Sequence, residues 1–398
     1  MNTEMLKTEL YKIYSKKVIW IALAAFLALF LVLKLQFIDK VGIKYTLEPM
    51  RAELTSAVEN EDFHNFVREN DYSCTVEAMK PFIPASVFDY IEQHSGNDRV
   101  YRSLNSDLMS IINNYYERVD NRAAFIDELE QDIAISDNTS LAKAKTKILH
   151  TYQNTPVTIE LNLESSANNF IDINHSAVFP GLIMLIVIVG LAGIYSDEYT
   201  SGTLSPLLTS RKGRKGVFFS KLLAASIFIF SVVLLTEAFY MVVTAICYHA
   251  PNAAISAAST YGLSLTTYSG TVMGFCFRQI LGTFLAALTL GSLVMCISAY
   301  SKNALIPFFA AGVYYGGTAL YANMITFPEY LSSVWSLPGE LSLFMLQTQV
   351  ELVKEGHFTN IFGFMIPTLT VNVMFNLILM AVCLALCYRT YTRKQVKN

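Results

Sequence analysis

The sequence predicts an all-α integral membrane protein: six transmembrane helices with a mainly helical extracytoplasmic domain between the first two. Three observations lead there. First, the chain is 53% hydrophobic and only 15% charged, whereas soluble domains carry about a quarter charged residues. Second, six apolar segments, 18–38, 177–195, 222–248, 272–300, 304–325 and 362–388, approach the roughly 20 residues a helix needs to cross a bilayer core. Third, charge is partitioned. Residues 39–176 hold 12 basic and 23 acidic residues, a net of −11, and the remainder holds 17 and 9, a net of +8. An acidic soluble domain thus alternates with basic segments that flank the membrane.

Residues 1–17 carry Lys7, Lys12, Lys16 and Lys17, with Leu6, Leu10, Ile13 and Tyr14 at helical spacing. This is the pattern of an amphipathic N-terminal helix lying on the interface. Val18–Leu33 follows without a small-residue cleavage site, so 18–38 is read as an uncleaved first span with Lys34 snorkelling outward. Region 39–176 is long enough to fold. Leu104, Leu108, Ile111, Tyr115, Val119, Ile126, Leu129 and Ile133 recur mostly at three- and four-residue steps, as on an amphipathic helix. A further helical stretch covers about 47–69. Asn138-Thr139-Ser140 supplies a helix start and is also a glycosylation triplet. Residues 155–163 alternate and predict a strand.

Beyond the second span, 177–195, lies the loop 196–221, followed by spans 222–248, 272–300, 304–325 and 362–388. If every segment crosses, the N-terminus, the 196–221 loop, Lys302 and the tail 389–398, with Arg389, Arg393, Lys394 and Lys397, all fall on one side. The excess of Lys and Arg in short loops makes that side cytoplasmic, with localisation in the cell membrane. Loops 249–271 and 326–361 are then outside. Loop 326–361 is too apolar for an ordinary loop, yet Pro328, Pro338 and Gly339 interrupt it. It is read as a pair of short re-entrant helices, with Tyr330 and Trp335 at the interface.

Enzymatic signatures are missing. There is no P-loop, no HExxH and no GxSxG pattern. The six histidines are scattered as surface residues, without metal-ligand spacing. No CxxC pair occurs, so the six cysteines read as small apolar filler rather than a zinc or redox site. The basic clusters hug the membrane and give no sign of nucleic-acid binding. The sequence thus predicts no catalytic residue, metal site or cofactor on this chain.

The stretch Tyr195–Lys221 stands out. Asp197 and Glu198 open it, Gly202-Thr203 follow, then an apolar turn at Leu207-Leu208, then Arg211, Lys212, Arg214, Lys215 and Lys221. Acid first and base last is the order a helix macrodipole favours. The pattern resembles the permease subunits of ABC-2 type transporters, which commonly show an acidic residue, Gly-Thr, an apolar turn, Arg and Lys between spans two and three. LKTELYKIYSKK near the N-terminus resembles the same family's connecting helix. The six-span order and paired re-entrant helices before the last span are also similar. Region 39–176 departs from the typical short loop, and its position is similar to that in the A-subfamily of ABC transporters, though far smaller.

The resemblance implies that this loop is a coupling helix seated on a separate cytoplasmic ABC ATPase. Asp197, Glu198, Gly202, Thr203, Leu207, Arg211 and Lys221 would form the contact, and ATP and Mg would reside on the partner. Glu198 would hold the helix N-terminus or pair with a base of the partner. It further implies a second permease subunit, identical or paralogous, and export of an amphipathic cargo such as an antimicrobial peptide or a lipid-like molecule.

Four intramembrane polar residues are candidates for a path or for helix packing. Glu237 lies near the middle of the third run, where charge is costly. Arg278 is expected to snorkel to headgroups. Asn372 and Asn376, four apart, are read as helix–helix glue, and Gly282, Gly291, Gly312, Gly316 and Gly317 suit close packing. Two rival readings exist. One is an ion-coupled secondary transporter using Glu237, and the other is a membrane-anchored ligand sensor with 39–176 as its ligand domain. One glutamate without an internal repeat argues against the first; six spans exceed what the second needs.

Overall fold

A computed structural model describes residues 3–41, 47–94, 98–135, 140–154, 158–163, 171–172, 174–176, 178–200, 213–248, 254–260, 262–324, 331–353 and 356–393. It is mostly helical. Helices α1 (Thr3–Tyr14) and α2 (Lys17–Val41) lead into a domain of α3 (Arg51–Val58), α4 (Glu61–Glu69), α5 (Val76–Met79), α6 (Ala85–His94), α7 (Asp98–Ile135) and α8 (Ser140–Asn154). The bundle follows: α9 (Val178–Leu191), α10 (Ser196–Thr200), α11 (Gly213–Tyr248), α12 (Val272–Tyr300) and α13 (Leu305–Met324). Three short helices, α14 (Leu337–Glu340), α15 (Leu343–Thr348) and α16 (Val350–Val353), precede the strands β1 (Phe358–Ile361) and β2 (Phe364–Pro367) and the last helix, α17 (Thr368–Arg393).

Five helical segments are long and apolar enough to cross a membrane: Val178–Thr200, Lys215–Ile246, Val272–Tyr300, Leu305–Met324 and Thr368–Thr392. A sixth is reached if α1 and α2, bent by 56° against each other, count as one span. The chain is a multi-pass membrane protein. The bend has a local cause: Trp20 Nε1 donates to the Tyr14 carbonyl at 2.7 Å and its ring stacks on Tyr14.

α12 is the hub of the bundle, packed against α9, α11, α13, α15 and α17. Small residues permit this. A Cβ on Gly282 would meet the Leu346 carbonyl at 2.2 Å, and one on Gly291 would meet Ile229 at 2.6 Å. Gly312, Gly316 and Gly317, expected to pack likewise, have nothing within 4 Å of such a Cβ. They lie on α13, whose face with Val313 and Leu320 is open.

The domain has its own core. Leu104, Leu108, Ile112 and Tyr116 of α7 bury against Leu54, Phe63, Val67, Met79, Val87 and Ile91. The stripe runs at strict four-residue steps, so Ile112 and Tyr116 take the inner positions expected for Ile111 and Tyr115. The stretch predicted as helical over about 47–69 divides at Asn60, whose side chain caps α4 by accepting from Asp62 N and Phe63 N. A second core, Phe125, Leu129, Ala144, Ile148 and Tyr152, is shared with Phe358 and Met365 of the hairpin.

Several boundaries are corrected. Among the described residues of 155–163 there is no strand: 158–163 has no regular secondary structure, its Leu161 and Leu163 buried in the domain core. The last span begins at Thr368 rather than 362, because β1 and β2 pair as an antiparallel hairpin there. Its two-residue turn, Phe362 (φ 51°) and Gly363 (φ 91°), is left-handed at both positions, as tight hairpins require. The third span's helix starts at Gly213, so Lys215 sits on the helix rather than in the loop. Among its described residues, segment 326–361 forms three short helices rather than a pair. Ser140 opens α8, while Asn138 and Thr139 lie outside the described residues, as does the side chain of Lys34.

The bundle has two distinct ends. Arg118 donates to the Ser259 carbonyl at 2.6 Å, and Arg122 to those of Ser264 (2.9 Å) and Thr266 (3.2 Å). Tyr152 donates to the Leu265 carbonyl, and Lys147 to that of Met365 at 2.7 Å. The domain therefore sits on the loop before α12 and on the hairpin; this is the domain end. α1, α10 and the start of α11 gather at the other, the motif end.

Candidate functional site

At the motif end, three segments distant in sequence meet on one ammonium. Lys221 of α11 is fully buried, with 0% exposure. Its Nζ donates to Glu9 Oε2 at 2.8 Å and to the Ile194 carbonyl at 2.7 Å, and pairs with Glu198 Oε1 at 2.7 Å. A lysine has three N–H donors, and three acceptors are present. The Tyr195 ring lies 5.3 Å from the same nitrogen. Lys12 extends the cluster, at 2.7 Å from Glu9 and 3.3 Å from Glu198, and Lys16 pairs with Asp197 at 3.3 Å. Two buried carboxylates are thus matched by two ammonium groups, the condition under which buried charge is tolerated. Burial pushes the Glu9 carboxyl up, but the Lys221 ammonium beside it, helped by Lys12, holds it below the ordinary carboxylate value. Burial likewise opposes the Lys12 charge, and Glu9 and Glu198 more than offset it, holding Lys12 above its ordinary value.

Local backbone supports the arrangement. The chain breaks helix between α9 and α10, and Ser298 of α12 stitches the break. Its hydroxyl accepts from Tyr195 N and Ser196 N, each at 3.1 Å, and donates to the Ala192 carbonyl at 2.9 Å. Gly193 leaves room for the Asp197 carboxylate, which a Cβ there would meet at 2.1 Å. Tyr391 of α17 packs on Tyr195 with ring centroids 5.0 Å apart. An open cleft of about 350 Å³ remains between α1 and α10, lined by Lys12, Lys16, Asp197 and Glu198 among others.

The expected coupling residues therefore divide. Asp197 is half exposed on the cleft. Glu198 and Lys221 pair with each other and with α1 rather than with a partner. A buried Glu198 is not free to receive a partner protein's base, and Lys221 is a core residue rather than a loop cation. Gly202, Thr203, Leu207 and Arg211 lie outside the described residues. Sequence reading missed Glu9, although its place between Leu6 and Ile13 on the apolar stripe of α1 was a signal: a carboxylate there needs a buried cation.

The intramembrane candidates lie toward the other end. Arg278 does not snorkel. Its Nε donates to Gln349 Oε1 at 2.9 Å, and its guanidinium sits 5.2 Å from the Tyr268 ring. Asn372 donates to the Ser342 carbonyl at 3.2 Å and to that of Glu340, and Asn376 donates to Asn372 Oδ1 at 2.9 Å. The two amides do act as glue, fastening α17 to the short helices α14 and α15. His357 is not a surface residue: it is buried, 3.1 Å from the equally buried Glu340. Glu237 is 1% exposed and accepts from Asn174 at 3.3 Å. Since Asn174 lies just before α9, this carboxylate is nearer the domain end than its central place in the apolar run suggested. Cys74, Cys276, Cys296, Cys383 and Cys387 are free and buried, as filler would be. Among the described residues no group of three or more His, Cys, Asp or Glu could hold a metal ion.

No family model, no curated protein and no solved structure matches this chain.

Proposed function

We propose that this chain is the transmembrane permease subunit of an ATP-driven exporter of the ABC-2 type. A separate cytoplasmic ATPase, holding ATP and Mg, presses on the 196–221 stretch, and a second permease subunit completes the path. The chain itself catalyses nothing. It resides in the plasma membrane with both termini cytoplasmic, and its cargo is amphipathic, an antimicrobial peptide or a lipid-like molecule.

The observation that carries this reading is the buried Glu9–Lys221–Glu198 cluster. It locks the N-terminal helix, the acidic start of the motif and the head of α11 into one block. A push on residues 197–215 is then delivered to α9, α11 and, through Ser298, to the hub helix α12. A mere connecting loop has no need of such a block. The opposite end carries the domain on the 254–271 loop and the hairpin, where it would guard an exit.

The test is copurification from the native operon. A P-loop ATPase is expected to accompany the tagged chain. Asp197→Lys, on the cleft surface, should reduce its recovery while leaving membrane insertion intact. Glu198→Lys is the poorer probe, since it would place a third cation against the buried Lys221 and the half-exposed Lys12. Purification without any ATPase, with transport driven by an ion gradient alone, would overturn the reading in favour of an ion-coupled carrier.

A further inference from the structure

Glu237 of α11 is a buried carboxylate with an incomplete set of partners. Asn174 Nδ2 reaches Oε2, while Oε1 faces the Thr283 hydroxyl without a well-formed hydrogen bond. The groups that face it are Asn174 from the segment before α9, Tyr240 one turn along its own helix, and Thr283 and Cys276 from α12. None is a cation, and the only arginine on α12 is turned to Gln349 and Tyr268. An ionised carboxylate buried without a counter-charge costs several kcal/mol. A proton on Oε1 removes that cost and creates a donor. Acceptors are at hand, because the hydroxyls of Tyr240 and Thr283 are buried beside it.

Access comes from the domain end. Asn174 belongs to the short stretch 171–176, and Asp172 and His175 of that stretch line a cavity of about 380 Å³ together with Glu117, Arg118 and Glu351. His175 Nε2 lies 3.7 Å from Glu351 Oε1 across it. Asn174, flanked by these cavity residues, therefore stands between an open polar cavity and the buried carboxyl.

We propose that Glu237 is a proton-binding site, which holds a proton on Oε1 in this conformation and releases it to water in the domain-end cavity when the Asn174 side chain moves aside. Release breaks the O–H bond, passes the proton to water and leaves a fixed negative charge in the wall of the bundle. The site then has two states, neutral when closed and anionic when open, and only the open one attracts a cation. The inference is independent of the exporter reading: a missing ATPase would remove that reading and leave this site unchanged.

Infrared difference spectroscopy of the full chain in lipid nanodiscs tests it. Wild type at pH 7 should show a protonated-carboxyl C=O band that is lost in Glu237→Gln. In deuterated buffer the band should shift, and should shift faster in Asn174→Ala, which opens the barrier. Superimposable spectra for wild type and Glu237→Gln in that region overturn the protonation. Equal deuteration rates with and without Asn174 overturn the route. Should Glu237→Gln fail to fold, a hydrophobic carbodiimide, which adds to a protonated carboxyl, reports on the wild-type chain instead. A modified Glu237 peptide at pH 7 supports the site, and an unmodified one overturns it.

Discussion

Lys221 shows how much one side chain can hold. Removing it leaves Glu9 and Glu198 buried without most of their counter-charge, so Lys221→Ala should destabilise the motif end by about 3–5 kcal/mol, read as a lower melting temperature in detergent. Glu9→Gln in the same background should recover part of the loss, because it removes one orphaned charge. Asp120 makes a different prediction in the domain. Burial raises its carboxyl, but Arg68 (2.7 Å), Tyr72 (2.6 Å) and His64 (3.0 Å) outweigh that and bring it down to about 2. The unfolded value is roughly 3.9. The contribution of this carboxylate is therefore complete above about pH 4 and is lost as pH falls through about 2. Asp120→Asn should remove that acid dependence, and hydrogen exchange in α4 and the middle of α7 should rise. Single residues are legible where pattern carries them: Asp197, Glu198 and Lys221 stand out from the order of charge together with the resemblance that order supports. That Glu198 and Lys221 pair with each other and with Glu9 is not legible, because a pairing across 212 residues leaves no trace in local spacing. Arg278 was misread for a related reason. Hydropathy shows an arginine near a helix end, but not that Gln349 waits beside it.

Among elements, the long apolar helices were the most readable, since twenty apolar residues have few alternatives. The hairpin was hidden. FTNIFGFMIP joins an apolar span without a break in composition, and only the left-handed turn at Phe362-Gly363, which folds β2 back on β1, marks it as a hairpin. The 158–163 stretch failed as a strand because alternation describes burial, and no neighbouring edge offers it a ladder. What joins elements is also testable. Arg122 holds α7 to the 262–268 loop through two carbonyls and lies 4.5 Å from the Tyr152 ring. Arg122→Ala should cost about 2 kcal/mol locally, seen as faster exchange in 262–268 with α3 to α6 unchanged. Gly282→Val should be more severe, because the new side chain would enter the Leu346 carbonyl and push α15 from α12.

For the whole molecule, the decisive property is that the motif and the large domain occupy opposite ends of one bundle. Single cysteines at Lys215 and Glu117, both exposed, should react with a membrane-impermeant maleimide from opposite faces of the bilayer. The five described native cysteines are buried and give a low background. Labelling of both from one face would dissolve the six-span topology and the transport reading with it. The buried lysine block also has a consequence for how the protein is made. Glu9 leaves the ribosome more than two hundred residues ahead of Lys221, so for much of translation the amphipathic N-terminal helix has only the lipid headgroups for company. The latch closes when the third hydrophobic segment arrives. Nascent chains arrested before that point carry an undocked leading helix, with Glu9 still without its Lys221 counter-charge.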